Sequence, residues 1–423
     1  MLAEIAGYLQ VDPWPPEAGG AVYAALALVG GALLGEFVRR VFGWPRIVGY
    51  STVGLGLALA GLGLGGAGLS GPTRLVVDLA LALLLFELGS RVNLRWLRAN
   101  PALPLTGLLE SLLSAAAITW ALRQFGLDLN VALTCATLTV CSSAAVVGRV
   151  ASELKAAGQV TERMIVLTAL NTLFAVLAHK LVVGWLHVDQ AGDWVRAVSQ
   201  PLWVFGGSVL VAAVLAKLVA GIARRLDLRD ENAALLLLGL VVLALLLARA
   251  LNLSSLLVPL LAGVLLRNTT ERPWVWPRHF GTAGGVLVLM LFVIVGSAWT
   301  VDAVVAGGLA ALVLLLARAA GKTAVVMGLA RWSGIGQRQA LGLSLALVPL
   351  SGTALVMLAD LQHTLPGFAP AVAPIVLSTI VFTEVLGPLA VQWGLQLAGE
   401  HERHGMAKPD AESAPRPAPA GLP

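Results

Sequence analysis

Charge is what this chain most lacks. Asp, Glu, Lys and Arg make up 12% of its 423 residues, about half the share of a soluble domain, which excludes a water-facing globular protein of this length. Cysteine is almost missing too. The two present, Cys135 and Cys141, stand six apart in one apolar run, and on a helix that spacing turns them to different faces, so neither a disulfide nor a metal site follows. There is no phosphate loop, zinc-ligand spacing or nucleophile elbow, so no enzyme class fits and no cofactor is expected. The period-2 alternation of an outer-membrane barrel is absent. The N-terminal stretch has no basic segment before its apolar run and ends in Trp14-Pro15-Pro16, so no cleavable signal peptide is expected.

What fills the chain is apolar: 58% of residues are hydrophobic and the mean hydropathy is +0.86. Runs of roughly 20 apolar residues recur throughout, the length that crosses a hydrocarbon core of about 30 Å. In lipid each backbone N–H and C=O must be satisfied within the protein, so the runs are helices and the fold class is an all-α polytopic membrane protein. About thirteen spans are predicted, near 21–42, 46–64, 73–92, 101–123, 127–150, 162–186, 199–225, 232–250, 253–268, 281–300, 303–329, 337–360 and 370–397.

The formal charge of +5 does not point to nucleic acid, because the basic residues are spread over short loops. Counted in alternate connecting segments, 20 of the 28 Lys and Arg fall on one side and 3 (Arg74, Arg123, Arg196) on the other. The positive-inside rule makes the first side cytoplasmic, with the N-terminus outside and the C-terminus inside a bacterial inner membrane. Residues 401–423 are rich in Pro, Ala and charge and read as a disordered cytoplasmic tail. No nucleotide fingerprint is present, which excludes a nucleotide-binding regulatory domain in this chain.

Two spans differ from ordinary lipid-facing helices. The fifth contains Thr137-Leu138-Thr139-Val140-Cys141-Ser142-Ser143, and the twelfth contains Val348-Pro349-Leu350-Ser351-Gly352-Thr353. Each is a polar, small-residue break followed by an aliphatic run. Seven spans apart, they cross in opposite senses, the pattern of an inverted-topology repeat whose discontinuous helices meet near the midplane. The competing reading is that Ser, Thr and Gly here only allow close helix packing. The sixth and thirteenth spans continue the pairing, with Asn171-Thr172 in one and Thr383-Glu384 in the other.

These residues carry a family resemblance. The chain resembles cation:proton antiporters of the sodium/proton exchanger superfamily through Gly49-Tyr50, Leu85-Phe86-Glu87-Leu88-Gly89 with Trp96-Leu97-Arg98, and Cys141-Ser142-Ser143. The likeness continues through Gly158 to Arg163, Leu170-Asn171-Thr172, and Thr383-Glu384 with Gly387-Pro388. The resemblance implies a transmembrane domain over 1–400 with a mobile core (about 101–186 and 303–397), a dimerising scaffold (about 21–92 and 232–300) and a linker helix (about 199–225). It implies exchange of Na⁺ or K⁺ for H⁺ by alternating access in a homodimer.

The likeness departs at one place. Family members carry cation and proton on a carboxylate of the sixth span, where this chain has Asn171 and Thr172. A Thr hydroxyl can face a cation but cannot exchange a proton near neutral pH. Charged groups inside spans are functional candidates by default. Arg318 and Lys322 lie four apart on one face, and family members place a basic residue there. Glu384 is a candidate carboxylate or a partner for Arg318 or Lys322; Glu110, mid-span, could replace the missing titrating group. The expected ion site therefore comprises Thr139, Ser142, Ser143, Asn171, Thr172, Ser351, Arg318, Lys322, Glu384 and Glu110. Two other functions stay open: a proton-coupled anion transporter, favoured by Arg318, Lys322 and two half-helix N-termini, and a non-transporting scaffold or sensor with the same fold.

Overall fold

A computed structural model describes residues 20–62, 71–191, 194–225, 231–270, 280–350 and 352–401. The helices are α1 (Gly20–Phe42), α2 (Arg46–Leu59), α3 (Gly71–Ser90), α4 (Leu94–Ala99), α5 (Ala102–Gln124), α6 (Leu129–Thr139), α7 (Ala144–Glu153) and α8 (Gln159–Ala191). They continue with α9 (Trp194–Arg225), α10 (Glu231–Ala250), α11 (Leu257–Thr269), α12 (Phe280–Ser297), α13 (Val301–Gly328), α14 (Gln337–Ala346), α15 (Gly352–Thr364) and α16 (Ala369–Ala398). With α6–α7 and α14–α15 each taken as one broken crossing and the short α4 set aside, the described residues make the thirteen spans expected. Seven of the crossings are long and apolar enough to span a membrane by length and composition alone.

Local chemistry sets several boundaries. Asp128 opens α6 by accepting from the Asn130 amide at 2.9 Å, and Thr300 opens α13 by accepting from Ala303 at 3.2 Å, the caps that satisfy orphan first-turn donors. Gly399, at φ 76, closes α16 in the left-handed conformation that costs glycine least. The short α4 was not expected. Asn93 caps it, accepting from the Arg95 and Trp96 amides at 3.0 and 3.3 Å, and one and a half turns carry too little periodicity to read in a sequence.

Glycine decides which helices approach most closely. A Cβ on Gly54 of α2 would stand 2.3 Å from the Val293 carbonyl of α12, and one on Gly89 of α3 would stand 2.2 Å from the Leu260 carbonyl of α11. Likewise Gly307 of α13 lies against Pro374 of α16, and Gly342 of α14 against the Gly394 carbonyl of α16. Small residues of this kind let backbones touch in lipid, where apolar burial alone does not drive association. Gly342→Val would force α14 and α16 apart, since its Cβ would meet the Gly394 carbonyl at 2.4 Å. Overpacking of that kind costs about 1–3 kcal/mol. A drop in melting temperature of the detergent-solubilised variant is expected, and an unchanged melt would refute this packing.

Candidate functional site

The two interrupted helices meet at their breaks. α6 ends at Thr139 and α7 resumes at Ala144, with the Ser143 hydroxyl accepting from the Val146 amide at 3.2 Å. α14 ends at Ala346 and α15 begins at Gly352; Pro349, lacking an N–H, cannot continue the first half. The breaks are bonded to one another: the Ser143 amide donates to the Pro349 carbonyl at 2.9 Å, and the Ser142 hydroxyl donates to the Leu347 carbonyl at 2.8 Å. Ser351 lies outside the described residues.

Each break leaves helix-end carbonyls without intrahelical partners, and in an apolar interior they need donors. Arg318 of α13 supplies them. Its Nε donates to the Thr139 carbonyl and one Nη to the Cys141 carbonyl, both at 2.6 Å, while the same Nη reaches Leu347 at 3.4 Å. The other Nη donates to the Val348 carbonyl. Arg318 is fully buried, and its guanidinium sits between the two negative C-terminal dipole ends. That accounts for a charge in the membrane without a carboxylate partner.

One turn on, Lys322 forms an ion pair with Glu110 of α5, both side chains having no solvent exposure. The pair exists because α5 and α13 are close: a Cβ on Gly321 would lie 2.8 Å from the Ser114 Cα. The Lys322 ammonium also donates to the Ser142 hydroxyl at 3.3 Å. Asn171 of α8 joins the same group, its Nδ2 donating to Ser142 at 3.4 Å and its Oδ1 accepting from the Ser111 hydroxyl at 3.1 Å. Glu110, Ser142, Asn171 and Lys322 are all buried. The second Glu110 oxygen and the Ser114 hydroxyl have no hydrogen-bond partner. The cluster therefore holds one carboxylate with a free oxygen, an ammonium, an amide and three hydroxyls, all at the crossing. Oxygen donors of this kind suit a hard cation, and the carboxylate and ammonium are the groups able to exchange a proton.

The structure does not gather every expected residue here. Thr172 is buried, but its hydroxyl donates to the Thr168 carbonyl of its own helix at 2.9 Å. The Thr139 hydroxyl likewise donates to Cys135 at 2.7 Å, and what Thr139 contributes is its backbone carbonyl. Glu384 is no partner of Arg318 or Lys322. One of its oxygens accepts from the Ser51 hydroxyl of α2 at 3.4 Å, and the other has no partner although the residue is 2% exposed. Arg318 and Lys322, which in the sequence favoured an anion, are both engaged: Arg318 by backbone carbonyls and Lys322 by Glu110. Ser111 and Ser114 were missed. Thr106, Glu110 and Ser114 recur every four residues along α5, a polar stripe on one helical face that could have disclosed Ser114, and Ser111 stands three residues before it on the neighbouring row.

Other charges settle into pairs. Glu36 binds Arg40 at 2.6 Å and Arg46 at 3.0 Å, and Glu87 binds Arg91 one turn on at 2.9 Å, the i,i+4 spacing at which opposite charges on a helix meet.

Comparison with known proteins bears on the fold. The solved structure of the sodium proton antiporter MjNhaP1 from Methanocaldococcus jannaschii at pH 8 has the same fold, with a TM-score of 0.65 and 16% identity, over 90% of this chain and 98% of that one. An electron-microscopy structure of the same antiporter superposes at 0.68 with 18% identity, over 92% of this chain and 98% of that one. A search of curated proteins found no match. The transmembrane model of the sodium/hydrogen exchangers matches residues 24–396. With almost its whole membrane part matched, this chain belongs to the sodium/hydrogen exchanger family.

Proposed function

We propose that the protein exchanges a monovalent cation, Na⁺ or K⁺, for protons by alternating access, and that Glu110 of α5 is the carboxylate that binds them. The observation that carries this reading is the buried Glu110–Lys322 pair beside Ser142 and Asn171 at the crossing of the broken helices. A cation entering the cluster takes the free Glu110 oxygen with neighbouring hydroxyl and amide oxygens. Lys322 then gives up its proton to the open side and becomes a neutral amine, because two cations cannot share one buried carboxylate without an uncompensated charge. Proton return reverses the exchange. Competition of cation and proton for one negative site couples their flows.

The helices divide into a core (α5–α8 and α13–α16) and a scaffold (α1–α3 and α10–α12) joined by α9. Supporting this division, the closest glycine-backed contacts lie within one set or the other: α2 with α12 and α3 with α11, α13 with α16 and α14 with α16. Scaffold faces pair two copies in a homodimer. The arginine-rich end faces the cytoplasm of a bacterial inner membrane, which leaves the N-terminus outside and the C-terminus inside. Thr172 stands where the family's titrating carboxylate is expected, and Glu110 takes over its task from a neighbouring helix.

Everted vesicles test the reading. Addition of Na⁺ or K⁺ to an imposed pH gradient should dissipate it only where the protein is present; a response to chloride, nitrate or sulfate instead would favour anion transport, and no response to either class would favour a silent scaffold. Thr172→Asp is expected to place a second carboxylate in this core. Its flux should persist when Glu110 is replaced by Gln, whereas the single Glu110→Gln variant is inactive. Failure of Thr172→Asp to rescue would show that the sixth span no longer presents this position to the ion.

A further inference from the structure

We propose that Arg74 of α3 and Asp360 of α15 form the gate at the arginine-poor end, an ion pair that breaks whenever the core exposes its site to that side. The inference rests on the division into core and scaffold proposed above, and it concerns residues outside the ion site.

The pair closes a chain of alternating charge. Arg249 of α10 is ion-paired with Asp78 of α3, its Nε donating at 3.1 Å. Asp78 has no side-chain exposure, and its Oδ2 lies 3.9 Å from the Nε of Arg74 one turn earlier. The far side of the Arg74 guanidinium pairs with Asp360. The first three members all stand on scaffold helices, where they hold the Arg74 fork in one direction whatever the core does. The fourth stands near the far end of α15, the half-helix that starts at the crossing itself. Movement of the crossing carries Asp360 away from Arg74 and leaves the other links intact.

Topology does not explain these charges. The positive-inside rule accounts for arginine at the opposite end, but Arg74, in the first turn of α3, is one of 3 basic residues counted to the arginine-poor side, and Arg249 and Asp78 lie within spans. Burial also fits a contact that must open. The Arg74 and Asp360 side chains are 23% and 29% exposed, so each keeps some water when they part, unlike the fully buried Glu110–Lys322 pair. Both residues line a cavity of about 580 Å³ together with Lys180 of α8 and Arg249. Core and scaffold residues thus share its wall, and the ion pair joins its two sides.

The test uses the full chain in vesicles, carrying Thr353→Cys as a reporter. Thr353 lies in the first turn of α15, 1% exposed; the native Cys135 and Cys141 are buried, and protein without the reporter serves as control. A membrane-impermeant maleimide is applied from the arginine-poor side. Arg74→Gln and Asp360→Asn should each raise the labelling rate at least tenfold. The exchanged pair Arg74→Asp with Asp360→Arg should return it toward the starting rate, a rescue that a loss of general stability would not produce. Unchanged rates in both single variants, or no rescue by the exchange, would overturn the gate. The labelling does not depend on which ion moves. Faster labelling in a protein that exchanges no cation would therefore leave the gate standing and remove the proposed antiport, while antiport with unchanged labelling would do the reverse.

Discussion

Glu110→Gln is expected to abolish cation-dependent proton flux in vesicles while Glu384→Gln leaves most of it. The two carboxylates are both buried and each has an oxygen without a partner, but their settings differ. Glu110 is paired with Lys322, whose ammonium also donates to Ser142 at the crossing; Glu384 faces only the Ser51 hydroxyl on α2 among the described residues. Neutralising Glu110 also leaves Lys322 as an unpaired buried charge, a cost of roughly 3–5 kcal/mol. Loss of flux by itself could then reflect loss of fold. The double variant Glu110→Gln with Lys322→Met separates the two, because removing both charges of a buried pair is often neutral or stabilising by about 1–4 kcal/mol. It should melt near the parent temperature and still not transport. If the double variant exchanges cation for proton, the carboxylate lies elsewhere and the proposed site is wrong.

Arg318→Lys should damage the protein more than its charge conservation suggests. The guanidinium donates to Thr139 and Cys141 in one break and to Leu347 and Val348 in the other. An ammonium is a compact point charge and cannot reproduce that planar fork. Each buried carbonyl left without a donor costs about 1–3 kcal/mol, so two or three orphans together approach the whole stability of many domains. The expected result is a large fall in melting temperature and in yield of monodisperse protein, before any flux is measured. Ion binding at Arg318 itself predicts the opposite pattern: a stable Arg318→Lys protein with altered selectivity. That outcome would refute its assignment as the tie between the two breaks.

Much of the fold was legible in the sequence because what specifies it is local. A span of about 20 apolar residues must be a helix in lipid whatever surrounds it, and the first span, expected at 21–42, is Gly20–Phe42. Ser142-Ser143 and Pro349 mark interruptions through their own chemistry, a capping hydroxyl and a missing N–H, so both breaks were expected where α6–α7 and α14–α15 have them. Boundaries slipped where nothing local marks them. The ninth span was expected from residue 253, but a turn occupies its first residues and α11 starts at Leu257. The sixth was expected over 162–186, and α8 runs from Gln159 to Ala191.

The sequence by itself determined the class, the crossing count, the inverted repeat and the family likeness, and it singled out Glu110, Arg318 and Lys322 as charges needing a reason. Only the tertiary structure decided what those reasons are. Glu110 and Lys322 are 212 positions apart, a separation at which no periodicity or motif links two residues; their meeting depends on Gly321 letting α5 and α13 touch at Ser114. Arg318 was beyond reading for a different cause. Its partners are backbone carbonyls, which every residue has, so no side-chain pattern could announce them. Spans follow from the solvent, which acts on each segment separately. Partners inside the bundle follow from which helix faces pack together, and that is a property of the assembled chain.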